Sequence, residues 1–481
     1  MRTNPQLLVA VPAGLAVLEF VIYFRNAAHF FQGDTIYWFY HRLTSASEFL
    51  ASFGSPDPGG WYRPLTNRTI QSLLYPFFGL NPQGYRWLSY ILFFTATLGV
   101  LALSMKLTRK PAGAAIAGLF FAIHTINAYT TYDLSFAPEL VYSILYICAT
   151  LAFLKSLETG GRGWWTLSIV AFALSLCSKE AAATLPVMLF ALAWISGHGL
   201  KRFGKALIPH GVLLVAYLLF TVVHLGVASE ALASLRVRPA QLETGGYYFM
   251  LGPHLLTNAG QAWAWALNLP VGMLGQWRVN TQSRSLVLWG FAAIQMLLIP
   301  YAFRCGQRKP LLSGLAWFWI ASMPALPLMG HFLPYYLFLP IAGFSVIVGA
   351  TWNCLYEALP ARFRVTAAAG LCAIFGVLIL VCARTSRSEA RNNFLLGASS
   401  AIAENSVRDI QRLHPVLASG TTIFFNNDAQ PDLYFHHAQG ALFRMVYGDE
   451  SLQFKYSTLK ELPPEGALRL IYKDGHLYDE R

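Results

Sequence analysis

The sequence predicts an all-α polytopic membrane protein with about eleven transmembrane helices and a small α/β soluble domain at its C-terminus. Of the 481 residues, 55% are hydrophobic and only 12% are charged, and the mean hydropathy is +0.45. Many stretches have the roughly 20 apolar residues that a helix needs to cross a bilayer. After Arg384 the composition becomes polar enough for a soluble domain. These observations exclude an ordinary soluble globular protein.

The spans follow from the runs of apolar residues. They are residues 7–24, 85–105, 112–127, 136–154, 164–178, 181–197, 206–226, 286–303, 311–329, 335–352 and 365–383. With these spans, the Lys and Arg residues of the short loops fall on one side, with Lys179 as the exception. The positive-inside rule then puts the N-terminus in the cytoplasm and the C-terminus on the outer face of the inner (plasma) membrane. The net charge of +12 therefore indicates cytoplasmic loops rather than a nucleic-acid partner.

We expect a transmembrane domain of residues 1–384 and a small outer domain of residues 385–481. Long outer loops cover about 25–84 and 227–285. Residues 67–80 are amphipathic, which is typical of a helix at the membrane interface. Residues 254–274 are apolar enough for a twelfth span, but that span would invert the charge pattern that follows, so an interfacial or re-entrant helix is preferred. The first span is expected to be a retained anchor, because no clear cleavage site follows it.

The C-terminal domain is predicted from local periodicity. Residues 388–413 have the spacing of a helix that stops before Pro415. Three stretches are typical of strands, with Asp474-Gly475 as a hairpin turn in the last of them. These stretches are 421–425, 441–447 and 468–480. The six cysteines lie in or beside apolar spans, so the sequence predicts neither a disulfide framework nor a zinc site.

Asp34 is the candidate catalytic residue. It follows the first span in FFQGDTIYW, among aromatic residues that belong at a membrane surface. Ionisable residues at a membrane border are costly and often functional. A carboxylate there can act as a general base on an incoming hydroxyl or amine. A solvated loop acid is the alternative that the local sequence leaves open.

Basic residues on the same face are candidates for binding a phosphate. Arg63 lies beside Tyr62 in WYRPL, and a guanidinium suits bidentate contact with phosphate. Lys179 and Glu180 occupy a tight connection between two apolar spans. Contact with lipid headgroups explains Arg63 equally well, and a simple border ion pair explains Lys179 and Glu180 equally well.

Three further polar residues lie at span ends on that side. His124 ends the third span, where a structural hydrogen bond is the commoner role for a histidine. Glu139 begins the next span, where pairing with the helix dipole would explain it. His331 precedes Tyr335 and Tyr336, which could line a cavity or form an interfacial aromatic belt.

The ordered set of these segments resembles membrane glycosyltransferases of the GT-C superfamily, over about residues 20–350. The closest likeness is to the transmembrane O-mannosyltransferases that carry tetratricopeptide repeats and to their repeat-free bacterial relatives. The segments that carry the resemblance are Asp34 after the first span, residues 61–92, FAIH…PELVYSI (121–144), LSLCSKEAAATLP (174–186) and YYLFLPIAGF (335–344).

The resemblance implies an inverting enzyme that moves a sugar, with mannose as one candidate, from a polyprenyl-phosphate carrier to an acceptor on the outer face. Asp34 matches the family's catalytic acid residue, and Arg63 and Lys179 match basic positions that would steady the leaving phosphate. Glu139 and Glu180 also fall on motif positions. The chain departs from the family pattern at Thr35, Thr125 and residues 331–334, and it lacks the repeats. The sugar and the acceptor therefore stay open.

Two other functions remain as alternatives: a transporter or flippase for polyprenyl lipids, and a non-enzymatic assembly factor of the cell envelope. We expect no cofactor and prefer metal-independent catalysis. A divalent ion such as Mg²⁺ would need several oxygen ligands near the phosphate, to which Asp34 and Asp57 could contribute.

Overall fold

The structure is a computed structural model that describes residues 5–23, 29–226, 248–269, 283–393, 395–426 and 432–480. Its helices, in chain order, are α1 (Pro5–Ile22), α2 (Gly33–Tyr40), α3 (Ala46–Ala51), α4 (Thr69–Phe78), α5 (Gln83–Thr108), α6 (Pro111–Ile123), α7 (Asn127–Tyr132), α8 (Ala137–Thr159), α9 (Arg162–Leu176), α10 (Leu185–Ser196), α11 (Leu200–Leu218), α12 (His254–Ala266), α13 (Ser283–Arg304), α14 (Arg308–Ser322), α15 (Phe338–Ala358), α16 (Arg364–Asn392), α17 (Gly397–Leu413), α18 (Leu433–His436) and α19 (Ala441–Tyr447). The strands are β1 (Tyr248–Phe249), β2 (Leu328–Met329), β3 (Thr422–Asn426), β4 (Gln453–Tyr456), β5 (Leu468–Lys473) and β6 (His476–Asp479).

Every predicted span coincides with a long or apolar helix of the described chain. The helices concerned are α1, α5, α6, α8, α9, α10, α11, α13, α14, α15 and α16. Among the described residues, 6 helical segments are long and apolar enough to cross a membrane, and three shorter apolar helices accompany them. The predicted class, a polytopic helical membrane protein with a small sheet near its C-terminus, is confirmed.

Helix α15 lies at the centre of the membrane core. The apolar stretch of α15 is fully buried inside the protein. By contrast, only 11% of the corresponding apolar stretch around α11 is buried. Close packing around α15 depends on glycine, since a Cβ on Gly349 would lie 2.2 Å from the carbonyl oxygen of Gly113 on α6. Small residues of this kind let two membrane helices approach at backbone distance.

The loops that the sequence analysis predicts as outer form short helices on one end of this bundle. The predicted amphipathic segment 67–80 forms α4. Within 254–274, the structure shows α12, which has 13 residues and is too short to span a bilayer. Residues 270–274 of that segment lie outside the described residues.

A second hydrophobic core joins the first outer loop to the C-terminal region. Phe31, Ile36 and Phe39 from around α2 pack in one cluster with Leu433 and Phe443 of α18 and α19. The predicted domain boundary at residue 384 lies within α16, which runs without a break to Asn392. The first outer loop and the C-terminal region therefore share their interior.

The C-terminal sheet has the strand order β4-β3-β5-β6. Strand β3 pairs in parallel with both β4 and β5, and β5 and β6 form an antiparallel hairpin. The hairpin turn is the predicted Asp474-Gly475, with φ of 53° and 85°. Positive φ at both central residues is the condition for a type I′ turn, which matches the twist of the flanking strands.

Two predictions for the C-terminal region are wrong. Residues 441–447 form α19 rather than a strand, because they lie in the connection between the parallel strands β3 and β4. Such a connection must cross back over the sheet and usually does so as a helix. Gly440 and Gly448, with φ of 87° and 64°, bound this helix.

The second error concerns residues 388–413, which are not one helix. Helix α16 ends at Asn392 and α17 begins at Gly397. The Asn393 side chain accepts a hydrogen bond from the Leu395 amide at 2.9 Å, the local bond by which asparagine competes with a helix. The chain then folds back tightly, since a Cβ on Gly397 would lie 2.3 Å from the carbonyl oxygen of Ala390.

Candidate functional site

A cavity of about 280 Å³ opens where the outer loops meet the ends of the membrane helices. One wall is polar and comes from α2, the loop before α4, the start of α8 and the connection between α9 and α10. The rest of the lining is mainly apolar and comes from the end of α11, from β1 and from the end of α14 and the residues that follow it. The charged lining residues are Asp34, Arg63, Glu139, Lys179 and Glu180. All five were predicted as site residues.

Asp34 is the second residue of α2, and its side chain is exposed to the cavity. The surrounding protein and, secondarily, the charge of Asp133 raise the pKa of this carboxyl to about 6. A general base is most effective when its pKa lies near the working pH. The raised pKa thus suits Asp34 to accept a proton from a substrate hydroxyl.

Asp133 fixes the start of α2 against the next outer segment. Its carboxylate accepts hydrogen bonds from the Thr35 hydroxyl, from the Ser135 amide at 3.0 Å and from the Gln32 amide at 3.4 Å. Since Gln32 and Thr35 flank Asp34 closely, this network sets the direction in which the Asp34 carboxylate points. Asp133 was not among the site residues predicted from the sequence.

Arg63 is held in a loop that several hydrogen bonds shape. Asp57 accepts bonds from the Trp61 amide at 2.9 Å and the Asn67 side chain at 2.7 Å. Thr66 donates to the carbonyl of Ser178 at 2.9 Å, which ties this loop to the α9–α10 connection. The Arg63 guanidinium, 4.8 Å above the Trp61 ring, is thereby placed at the cavity wall.

The Arg63 guanidinium binds the Glu180 carboxylate through two parallel hydrogen bonds, of 2.9 and 2.7 Å. This bidentate geometry is the one that guanidinium forms with carboxylates and phosphates. The side chain of Arg63 is 16% exposed and that of Glu180 is 41% exposed. This ion pair is therefore open to the cavity.

Lys179 forms a second ion pair, with Glu139, and this one is buried, with side chains 6% and 3% exposed. The ammonium also lies 5.3 Å from the ring centre of Tyr336 and 5.8 Å from those of Tyr142 and Tyr335. Burial and, secondarily, the charge of Arg63 lower the pKa of Lys179. Contact with the carboxylate and the tyrosine faces favours the charged form instead.

The apolar wall makes the cavity suitable for an amphiphile. Helix α11 continues as a short π-helix, Leu219–His224, and Tyr217, Thr221 and Val222 from this region face the cavity. Ala321 and Ala325, at the end of α14, complete the wall. The lining thus offers ion pairs to a charged head group and apolar surface to a hydrocarbon tail.

Three predicted site residues do not line the cavity. Tyr62 is buried behind it, where its hydroxyl donates to the Phe53 carbonyl at 3.2 Å. The His124 ring is fully buried and bonds the Ala266 carbonyl at 3.3 Å, which joins α6 to α12. His331 lies against the Tyr336 ring, and burial lowers the pKa of its imidazole to about 4. A neutral ring of this kind would not supply positive charge to a phosphate.

Sequence reasoning missed Tyr142 and Tyr217 as lining residues. Tyr142 follows Glu139 by three positions on α8, a spacing that puts both side chains on one helix face. That spacing was a usable signal. Tyr217 lies inside an apolar helix, and only the packing of α11 against the outer loop brings it to the cavity.

Among the described residues, the structure contains no cluster of three or more His, Cys, Asp or Glu that could hold a metal ion. Asp57, considered above as a possible ligand, has its carboxylate engaged by the Gly59 and Trp61 amides and by Asn67.

Comparison with known proteins agrees with the predicted resemblance to membrane glycosyltransferases. Residues 63–225 match the family model described as dolichyl-phosphate-mannose-protein mannosyltransferase. Solved structures of similar fold include ArnT from Cupriavidus metallidurans bound to undecaprenyl phosphate, with 12% identity and a TM-score of 0.54 over 98% of this chain and 94% of that one. Another is the apo oligosaccharyltransferase of Archaeoglobus fulgidus, with 13% identity and a TM-score of 0.53 over 92% of this chain and 64% of that one.

Among curated proteins, human protein O-mannosyl-transferase TMTC3 is 24% identical over 334 residues, which are 61% of this chain and 36% of that protein. Its mouse counterpart is similarly related. The chain spans about a third of the length of the curated relatives it matches. The family model and the relatives confirm the resemblance to membrane glycosyltransferases that the sequence predicted, and the solved structures share the fold.

Proposed function

We propose that this protein transfers a sugar from a polyprenyl-phosphate carrier to an acceptor hydroxyl on the outer face of the inner membrane, with inversion at the anomeric carbon. The observation that carries the proposal is the single cavity in which Asp34, two cations and an apolar wall meet. A titratable carboxylate, phosphate-binding groups and a surface for a hydrocarbon chain are the parts that this reaction needs.

In the proposed reaction, Asp34 accepts the proton of the acceptor hydroxyl as its oxygen attacks the anomeric carbon. The bond between that carbon and the phosphate oxygen breaks, and the electron pair leaves with the phosphate as polyprenyl phosphate. Positive charge near the phosphate stabilises the charge that develops on the leaving group. Arg63 and Lys179 are the cations that line the cavity in the described chain.

The sugar is a finer part of the proposal. Mannose is favoured because residues 63–225 match a mannosyltransferase family. A carrier of the polyprenyl class is favoured because the structurally similar ArnT was solved with undecaprenyl phosphate, and the archaeal oligosaccharyltransferase AglB with a dolichol-phosphate. Either carrier presents a phosphate on a long apolar chain, which suits the two unlike walls of the cavity.

The proposed orientation puts the cavity outside the cytoplasm. Among the short loops, those predicted as cytoplasmic carry the Lys and Arg residues, with Lys179 as the exception. The cavity lies at the opposite ends of the helices. A sugar would then reach the cavity only on a lipid carrier that has crossed the membrane. This agrees with a donor attached to a polyprenyl chain rather than a soluble nucleotide sugar.

The experiment is transfer of radiolabelled sugar from synthetic polyprenyl-phosphate donors by purified protein in detergent. Wild type should consume donor, and Asp34→Asn should lose at least about a hundredfold in rate, the lower end for removing a general base. Glu48→Gln is the matched control, because Glu48 is an exposed acid of the same outer loop that does not line the cavity. Equal rates in wild type and Asp34→Asn would exclude Asp34 as the base. No turnover in wild type across donors, with lipid binding intact, would favour a lipid-binding or flippase function.

A further inference from the structure

Both cations among the described residues of the cavity wall are already paired with carboxylates. Arg63 is bound by Glu180 and Lys179 by Glu139. An anionic donor therefore does not enter a site of unpaired positive charge. It has to compete with a carboxylate for at least one of these cations.

The two pairs differ in how easily they can open. Glu139 is 3% exposed and its partner Lys179 is 6% exposed, so separating them would leave charges stranded in a poorly solvated place. Glu180 is 41% exposed at the cavity surface, where water can solvate the released carboxylate. Arg63 is thus the cation that the cavity can make available to a ligand.

The Glu180 carboxylate also binds Arg63 in the geometry that a phosphate would use. Its two oxygens receive two parallel hydrogen bonds from the Arg63 guanidinium, at 2.9 and 2.7 Å. Two oxygens of a phosphate can receive the same pair of bonds. Glu180 occupies the edge of the guanidinium formed by Nε and one terminal nitrogen, and a phosphate bound in the same bidentate manner would use that edge.

We propose that Glu180 is an internal competitor for Arg63: it occupies the phosphate position in the empty site, yields it to the donor, and retakes it as the product leaves. This inference rests on the proposed function. Glu180 is thereby a residue that controls product release rather than a group that takes part in bond making.

The difference in charge between donor and product explains why a competing carboxylate would be useful. The donor phosphate is a diester with one negative charge. The product is a monoester, with a charge of about −1.5 to −2 at pH 7 because its second pKa is about 6. The product would therefore bind Arg63 more tightly than the donor does. A carboxylate that competes for the guanidinium weakens the binding of both, and so prevents the more strongly charged product from being held too long.

The test is the affinity for undecaprenyl phosphate, measured by calorimetric titration in detergent, for wild type, Glu180→Gln and Glu180→Asp. Glu180→Gln keeps the shape but removes the charge, so it should bind the lipid about tenfold more tightly and should turn over more slowly after the first round. Glu180→Asp keeps a competing charge and should stay within about twofold of wild type. A tenfold ratio in Kd corresponds to about 1.4 kcal/mol.

A control and the contrary outcomes separate the explanations. Glu158→Gln removes the carboxylate of the Lys106 ion pair, which lies in a different cavity, and should leave the affinity unchanged. If Glu180→Gln binds the lipid as weakly as or more weakly than wild type, Glu180 only orients Arg63 and the inference is overturned. If wild type itself does not bind undecaprenyl phosphate, the proposed function is overturned together with it.

Discussion

The two ion pairs of the cavity differ in burial. The Lys179–Glu139 pair is enclosed by the rings of Tyr142, Tyr335 and Tyr336, whereas Glu180 faces the cavity. Their sequence spacing gave no hint of this, because Lys179 and Glu180 are adjacent in the chain. The sequence predicted that Lys179 and Glu180 would both lie on the outer face. Only the packing of the helices decides that Lys179 pairs with Glu139 and Glu180 with Arg63.

Glu139→Gln should strongly destabilise the protein. It leaves the Lys179 ammonium buried without its counter-charge, which typically costs about 3–5 kcal/mol. Glu180→Gln, at a more exposed pair, should cost about 1 kcal/mol or less. Thermal unfolding of both variants in the same detergent measures the difference. A melting temperature of Glu139→Gln equal to that of wild type would show that the buried pair contributes nothing.

The helix α2 connects the catalytic candidate with the C-terminal region. Gly33, which precedes Asp34, packs directly on α18, since a Cβ there would lie 2.1 Å from the carbonyl oxygen of Phe435. The shared core continues through Ile36 and Phe39. The C-terminal region thus supports the helix that presents Asp34 to the cavity.

Gly33→Ala should displace α2 from α18 and lower both stability and transfer. Overpacking of this kind costs about 1–3 kcal/mol. Gly54→Ala is the matched control in the same outer loop, since its Cβ would meet only the carbonyl oxygen of Ala51, at an ordinary contact distance of 3.6 Å. The melting temperature and the transfer rate of both variants test the contact. A Gly33→Ala variant that behaves like Gly54→Ala would show that α18 does not constrain α2.

At the level of elements, apolar length and charge alternation were sufficient to predict the membrane helices. Each is a local property of the sequence. The strand predicted at 441–447 failed because its helical state depends on the parallel pairing of β3 with β4, which is a long-range property. Asp34, Arg63 and Lys179 could be predicted because a place at the end of a span is also a local property of the sequence. Tyr217, which reaches the cavity from inside a span, could not.

For the whole molecule, the proposed function requires that the cavity and the C-terminal region lie on one side of the membrane and the loop between α13 and α14 on the other. Lys473, near the β5–β6 turn, and Cys305, just after α13, are both exposed. In intact spheroplasts, a membrane-impermeant maleimide should label Lys473→Cys but should reach Cys305 only after permeabilisation.

Cys305→Ser is the control that assigns the intracellular signal in this labelling experiment. Labelling of Cys305 without permeabilisation, or protection of Lys473→Cys in intact spheroplasts, would contradict the orientation. A cytoplasmic cavity would also require a different kind of donor, because soluble sugar nucleotides are then accessible to it.

Asp34 is proposed as the base of a transfer reaction in this cavity. The most direct test of that role is the pH dependence of a single round of transfer with donor already bound. The surrounding protein and, secondarily, the charge of Asp133 raise the pKa of Asp34 to about 6. The base must be ionised to accept a proton, so the rate should rise with pH through about 6 and level off above it. Asp133→Asn removes the like charge and should move the midpoint to lower pH. A rate independent of pH between roughly 5 and 8, or a midpoint that Asp133→Asn leaves unchanged, would contradict the account.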